Sequence, residues 1–164
     1  MKTWIRATVF FFFMIAAACV AAEPAQQPTW KTSPVKEMVE KARATTKQVT
    51  IQDLKNAIDS NQDMVILDVR GANEYAVAHI PEAINAPRGL LEFVIWTLVP
   101  DQGKKIFVYC KTGGRAALAT RLLNELGYKN AVAVDTGGAA WVRAGYPVQT
   151  SITDDEIVIM PTNR

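Results

Sequence analysis

Residues Phe107 to Thr120 read FVYCKTGGRAALAT, and this stretch is the most informative part of the chain. A short apolar run ends at Cys110, two glycines and an arginine follow, and the pattern then becomes helical to about Leu126. Short apolar runs are typical of buried strands, and glycines let the backbone turn sharply from a strand into a helix. The stretch therefore predicts a strand, a tight loop that begins with Cys110, and a helix.

The alternation of strand and helix patterns extends along the chain on both sides of this stretch. The predicted strands are 48–50, 63–69, 83–85, 105–109 and 131–134. The predicted helices are 34–44, 51–58, 72–77, 88–99, 113–126 and 139–144, and Ser33 and Thr50 are the predicted N-caps of the first two. Strands that alternate with helices form parallel sheets, because each helix carries the chain back across a face of the sheet. The predicted fold class is α/β, with a small parallel sheet flanked by helices on both faces.

Aromatic and aliphatic residues predict where the core lies. The segment 88–99 has too many apolar residues for a single stripe, which indicates a largely buried helix. We accordingly expect Phe93, Trp96 and Trp141 to be core residues. The alternative for 90–98 is an exposed surface that docks a partner.

The first 22 residues have the pattern of a secretory signal peptide. Lys2 and Arg6 precede an uncharged apolar run that ends in the small residues of 20–22. That run is shorter than the roughly 20 apolar residues of a permanent membrane helix. The pattern predicts cleavage after Ala22 and export, to the periplasm in a bacterium. The alternatives are an uncleaved anchor and lipid attachment at Cys19. Residues Ala16-Ala17-Ala18-Cys19 resemble a lipoprotein box, which usually has leucine at the position of Ala16.

The remaining chain divides into three parts. We expect a linker and N-terminal helix at 23–47, the main domain at 48–149, and a C-terminal tail at 150–164. This length suits one domain with one core. The net charge of +2 comes from the two basic residues of the predicted signal, so the exported chain would be neutral. A neutral chain without a basic block is not expected to bind nucleic acid.

Cys110 would be the single cysteine of the exported chain, which indicates a reactive thiol or an intermolecular bridge. The alternative is a small buried core residue. A helix that begins near Gly113 directs free N–H groups toward the sulfur, and Lys111 and Arg115 add positive charge. Such a loop favours the reactive thiolate. It would equally hold the negative charge of a sulfur atom added to the cysteine.

Six short motifs, in this order and spacing, resemble those of a single-domain rhodanese over about 48–148. They are Asp68-Val69-Arg70, Glu74-Tyr75, His79-Ile80-Pro81, Ala83-Ile84-Asn85, the loop from Cys110 to Arg115, and the region from Gly137 to Pro147. The resemblance implies a rhodanese-like fold and a sulfurtransferase that needs neither a metal nor a cofactor. In that family the cysteine takes sulfane sulfur from a donor such as thiosulfate, and passes it to a thiophilic acceptor.

Carried onto this chain, the resemblance makes Cys110 the catalytic nucleophile. The substrate-binding residues it implies are Lys111, Thr112, Gly113, Gly114 and Arg115. The expected partners are a small anionic sulfur donor and a thiol or cyanide-like acceptor, or a protein that accepts the sulfur. The family often has Gly-His-Ile-Pro-Gly where this chain has Ala78 and Glu82 in the glycine positions. We expect local adjustment there, with a loss of stability if a positive φ is required.

Other polar residues are weaker candidates. Asp68 and Cys110 both lie at the C-terminal ends of predicted strands, so we expect one crevice of the kind in which α/β proteins bind ligands to hold both. Asp68 and Arg88 are therefore secondary site candidates, although a structural hydrogen bond or ordinary solvation also explains them. We expect Arg70 to pair with Glu74. His79, the only histidine, is predicted to lie in a turn without a catalytic role.

Two further functions are compatible with these residues. One is a persulfide carrier or interaction module that serves a partner protein, since the fold alone does not establish catalysis. The other is a cysteine phosphatase or arsenate reductase, which also places a cysteine and an arginine around an anion. Those enzymes have five residues between the two, whereas here only 111–114 intervene.

Overall fold

The computed structural model describes residues 33–151 and the backbone of 157–159. The predicted signal segment, including Cys19, lies outside the described residues, as does most of the predicted tail. No helix in the described part combines the length and the hydropathy that a membrane span requires.

Helices and strands alternate as the sequence predicts. The helices in the described residues are α1 (Pro34–Thr45), α2 (Ile51–Asp59), α3 (Ala72–Val77), α4 (Leu91–Leu98), α5 (Gly114–Glu125) and α6 (Gly137–Arg143). The strands there are β1 (Gln48–Val49), β2 (Met64–Asp68), β3 (Ile84–Asn85), β4 (Lys105–Tyr109), β5 (Ala131–Val134), β6 (Val148–Thr150) and β7 (Ile157–Ile159).

The central sheet has five strands in the order β1-β5-β4-β2-β3, and every pair is parallel. This confirms the predicted α/β class. The strands β6 and β7 form a separate antiparallel ribbon in which Thr150 pairs with Ile157. The ribbon therefore joins the end of the predicted domain to the predicted tail. Asp68 pairs with Tyr109 in the central register, so the loops after β2 and β4 leave the sheet side by side.

Helices cover both faces of the sheet. One buried cluster joins the strands to α4 and α5, through residues that include Leu91 and Leu123. The other joins the opposite face to α2 and α6, through residues that include Leu54 and Trp141. Alternate residues of each buried strand point to opposite faces, which explains why the strand patterns are almost continuously apolar. A third cluster packs α1 against α5.

The prediction that 88–99 is a largely buried helix is wrong. Leu91 and Ile95 are the buried residues of α4, and Val94 packs partly buried beside them. Phe93 and Trp96 are 75% and 44% exposed, so neither is a core residue. A helix that rests on a sheet by one stripe leaves its outer side in solvent, whatever its composition. Trp141, at 1% exposed, is a core residue as predicted.

Local signals fix the first two helices. Ser33 caps α1, since its hydroxyl accepts a hydrogen bond from the N–H of Val35. Thr50 and Asp53 form a capping box at α2, in which each side chain accepts a hydrogen bond from the other residue's N–H. These side chains satisfy N–H groups that a helix leaves unpaired at its start. Both predicted caps are confirmed.

The two positions where the family often has glycine differ in conformation. Ala78 has φ −165°, which is extended backbone that any residue adopts. Glu82 has φ +64°, in the left-handed region that favours glycine. The backbone adjustment that we expected at both positions is therefore needed only at Glu82.

Replacing Glu82 with glycine is expected to raise the free energy of unfolding by about 0.5 kcal/mol. The substitution relieves a left-handed backbone, and the greater freedom of glycine in the unfolded chain offsets part of this gain. Urea unfolding measures the change. Glu82→Ala is the control, because it removes the charge and keeps the Cβ. Equal stabilisation by alanine would show that charge, and not backbone conformation, is the cause.

Candidate active site

Cys110 follows β4 directly and begins the loop Cys110–Arg115, which we call the cradle. The N–H of Gly113 donates a hydrogen bond to Cys110 Sγ across 3.2 Å. Helix α5 begins at the next residue, so this N–H belongs to the helix start. The sulfur lies inside the loop, since Cys110 is 1% exposed. An amide directed at a buried sulfur stabilises negative charge on it.

Gly113 allows the cradle to approach the loop after β5. Its φ is +88°, and a Cβ at this position would lie 1.7 Å from the carbonyl oxygen of Asp135. No side chain fits so close to a backbone carbonyl. The tight contact therefore requires glycine, for its conformation as well as for its size.

Two residues at the start of α6 brace the cradle from the same side. The N–H of Gly138 donates to the carbonyl of Cys110 at 2.7 Å, and the N–H of Ala139 donates to that of Lys111 at 3.1 Å. Gly137, with φ +62°, allows this approach, because its Cβ would lie 2.3 Å from the Cys110 oxygen. The sequence predicts these glycines only as a turn into the last helix. Their contact with the cradle comes from the neighbouring positions of β4 and β5 in the sheet.

The other cradle residues form the rim. Lys111 and Thr112 are exposed, and Gly114 and Arg115 are half-buried. The predicted substrate-binding residues therefore form one continuous loop after Cys110, in which Gly113 contacts the sulfur. Lys111 makes no ion pair within the described residues, so its charge is available at the rim.

The predicted pair of Arg70 and Glu74 does not form. Glu74 instead pairs with Arg115, whose Nη1 and Nη2 lie 2.7 and 2.9 Å from its two carboxylate oxygens. The hydrogen bonds from Arg115 hold the pKa of Glu74 below its ordinary value. The same contact raises the pKa of Arg115, and the nearby Cys110 adds to this effect. The arginine of the cradle is thus anchored to α3.

Arg70 turns back to Asp68, which is fully buried. The Asp68 carboxylate accepts hydrogen bonds from the backbone N–H and the guanidinium of Arg70, and Arg70 Nη2 also donates to the carbonyl of Ala78 at 2.7 Å. A buried carboxylate without a cation is costly, which explains why Arg70 has this partner and not Glu74. Asp68 therefore holds the loop after β2 in place, and both of its carboxylate oxygens accept hydrogen bonds from Arg70 and not from the cradle.

Backbone hydrogen bonds to residues outside the cradle hold Arg88 and His79 in place. The N–H of Arg88 donates to the carbonyl of Val69, and its half-buried side chain lines neither of the two cavities described next. His79 is buried, stacks on the ring of Tyr75 at 3.8 Å, and forms a β-bridge with Gln149. His79 is therefore a buried residue that links α3 to β6, and not an exposed turn residue.

Two cavities flank the cradle. The larger, of about 420 Å³, lies between α3 and α6 and includes Lys111 in its lining. The smaller, of about 250 Å³, lies between α1 and the cradle. Its lining consists of Val35, Val39, Thr112, Gly114, Arg115 and Leu118. Nothing in the sequence indicated this second cavity, because it depends on where α1 packs. No group of His, Cys, Asp and Glu within the described ranges could hold a metal ion.

Replacing Glu74 with glutamine is expected to lower stability at neutral pH by about 1 kcal/mol or less, since the pair is partly exposed. A carboxylate whose pKa is lowered by folding stabilises the protein at pH values above its ordinary pKa of 4.5. This stabilisation is lost as the pH falls through the lowered pKa. The wild type and the variant should therefore converge once the pH is below the lowered pKa of Glu74. Urea unfolding over a series of pH values from neutral to acid tests this, with Glu40→Gln as an exposed control. An unchanged difference at acid pH would contradict the ion-pair assignment.

The model of the rhodanese-like domain family matches residues 50–144. A curated relative, the thiosulfate:glutathione sulfurtransferase of Saccharomyces cerevisiae, is 30% identical over 108 residues, which cover 58% of this chain and 78% of the yeast protein. The chain spans half the length of another curated relative and about a quarter of two more.

Two solved structures have similar folds. The thiosulfate sulfurtransferase of Pseudomonas aeruginosa superimposes with a TM-score of 0.65 at 28% identity, over 77% of this chain and 25% of that one. A Rhodopseudomonas palustris protein of unknown function, described as a possible tyrosine phosphatase, gives a TM-score of 0.66 at 30% identity, over 74% of this chain and 98% of that one.

Proposed function

The chain belongs to the rhodanese-like domain family, which includes sulfurtransferases, and we propose that it transfers sulfane sulfur through a persulfide on Cys110. The Cys110 thiolate attacks the outer sulfur of a donor such as thiosulfate. The S–S bond of the donor breaks, and sulfite leaves with the electron pair. A thiolate or cyanide then attacks the transferred sulfur, and Cys110 is released as a thiolate.

The hydrogen bond from Gly113 N–H to Cys110 Sγ is the observation that carries this proposal. An amide held in place before the reaction stabilises a negative sulfur without reorganisation during it. The braces at Gly138 and Ala139 fix the carbonyls of Cys110 and Lys111, so the loop keeps this geometry as sulfur arrives and leaves. The same arrangement suits both a thiolate and a persulfide, which are both anions.

The charge at the rim favours a small anionic donor. Arg115 shares its charge with Glu74, whereas Lys111 is exposed and has no ion-pair partner within the described residues. Thiosulfate carries two negative charges and 3-mercaptopyruvate carries one on its carboxylate. Lys111 should therefore attract thiosulfate more strongly.

We expect a higher kcat/KM with thiosulfate than with 3-mercaptopyruvate when cyanide is the acceptor. Measuring thiocyanate formation with each donor tests this. A preference for 3-mercaptopyruvate would contradict the donor assignment. Loading of Cys110 without repeated turnover to cyanide or small thiols would instead indicate a sulfur carrier. Turnover of an aryl phosphate that depends on Cys110 would favour the phosphatase alternative.

A further inference from the structure

Helix α1 precedes the segment that matches the family model, yet it contacts the cradle. The two Cγ atoms of Val39 lie 3.7 and 3.8 Å from the position that a Cβ on Gly114 would take. At the other end of the helix, Arg43 Nη2 donates to the carbonyl of Asp135 at 3.3 Å. That carbonyl is the one that abuts Gly113. Helix α1 therefore belongs to the surroundings of the site, although it lies outside the matched domain.

The position of α1 is fixed by packing. Val39 and Ala42 are buried against Ala117 and Leu118, on the helix that begins at the cradle. These contacts and the Arg43 hydrogen bond attach the middle and the C-terminal end of α1, so α1 forms one wall beside the cradle. A wall held by packing can discriminate between ligands by their shape.

The smaller cavity lies between this wall and the cradle. Val35, Val39 and Leu118 supply its apolar lining, and Thr112, Gly114 and Arg115 supply the rest. Thr112 and Gly114 flank Gly113, whose N–H contacts the reactive sulfur. The larger cavity is lined by Lys111 of the cradle and by Gly138 and Ala139, which brace it. The smaller cavity thus has three cradle residues in its lining, against one in the larger.

Its chemistry indicates the kind of molecule that it binds. Glu74 neutralises the charge of Arg115, so the lining of the cavity has no unpaired charge that would favour an ionic ligand. Its volume of about 250 Å³ is just below the range of about 300–1,000 Å³ that is common for drug-sized ligands. A compact apolar group fits both properties.

We propose that this cavity binds the apolar body of the sulfur acceptor, and that the acceptor is a small thiol with an apolar substituent. The inference rests on the proposed function. The acceptor thiolate attacks the outer sulfur of the Cys110 persulfide, and the S–S bond to Cys110 breaks. Its electron pair remains on Sγ, and the product is the persulfide of the acceptor, so no oxidant or reductant is needed.

The test compares unloading of the persulfide by three acceptors, namely benzyl mercaptan, 2-mercaptoethanol and cyanide. Protein loaded with thiosulfate is mixed with each acceptor, and intact mass spectrometry follows the loss of one sulfur atom. Val35→Trp places a larger side chain in the cavity from a half-exposed position. It should slow the removal of sulfur by benzyl mercaptan about tenfold more than removal by 2-mercaptoethanol or cyanide. The matched control is Met38→Trp, since Met38 is an exposed apolar residue of the same helix that does not line the cavity.

Two results would overturn the inference. One is an equal effect of Val35→Trp on all three acceptors. The other is a selective loss of benzyl mercaptan reactivity in Val142→Trp, which would place the acceptor in the larger cavity that Val142 lines.

A binding measurement separates this inference from the proposed function. Benzyl alcohol has the same apolar body as benzyl mercaptan and no thiol, so it binds without reacting. We expect it to shift the amide NMR signals of Thr112, Gly114 and Leu118 in the wild type, and not in Val35→Trp. If these residues shift but the protein takes up no sulfur, the cavity binds the apolar group and the sulfurtransferase proposal is wrong. If sulfur loading is normal but only residues around α6 shift, the proposed function is supported and the inference about the smaller cavity is wrong.

Discussion

Replacing Cys110 with serine is expected to abolish sulfur loading and to lower thiocyanate formation by at least about a thousandfold. Serine has nearly the same shape, but its hydroxyl is not ionised near neutral pH and does not form a persulfide. The N–H of Gly113, which lies 3.2 Å from the sulfur, would remain available to a hydroxyl oxygen. The loss should therefore be chemical and not structural.

Steady-state turnover with thiosulfate and cyanide measures the effect, and urea unfolding provides the control. The variant should unfold within about 1 kcal/mol of the wild type, because one atom changes at a site already provided with a hydrogen-bond donor. A serine variant that kept a substantial fraction of the wild-type turnover would show that the reaction does not use Cys110.

Replacing Gly113 with alanine should cause the second large effect, a loss of about 3 kcal/mol in the free energy of unfolding. The added Cβ would lie 1.7 Å from the Asp135 carbonyl at a φ of +88°. Neither the backbone of the cradle nor the carbonyl can accept this contact without moving. Movement of the cradle would also take the N–H away from Sγ, so we expect turnover to fall even where the variant remains folded.

The control for this substitution is Gly89→Ala. A Cβ on Gly89 would meet no atom within 4 Å, so its stability and turnover should stay close to those of the wild type. If Gly113→Ala matched Gly89→Ala in both measurements, the close packing of the cradle on the loop after β5 would be wrong.

Local sequence signals predicted most of the fold and the loop that begins at Cys110. The caps at Ser33 and Thr50 depend on residues within three positions of each other, and the loop after β4 is a single continuous segment. Such features follow from short-range chemistry, so they can be read before the fold is known. The parallel sheet follows from the order of these segments.

Features that depend on long-range packing could not be predicted. The spacing of Arg70 and Glu74 in sequence suggested a pair, but Glu74 pairs with the distant Arg115 because α3 lies beside the start of α5. Arg70 pairs with Asp68, two residues away, because the sheet buries that carboxylate. The composition of α4 indicated burial, whereas the sheet covers only the side that carries Leu91 and Ile95. The contact of α1 with the cradle likewise depends on how two distant helices pack.

Intact mass spectrometry of the purified protein after exposure to thiosulfate tests the central claim most directly. We expect the wild type to gain one sulfur atom that cyanide removes, and Cys110→Ser to gain none. A wild-type protein that gained no sulfur from thiosulfate, polysulfide or any other sulfane donor would contradict the persulfide mechanism.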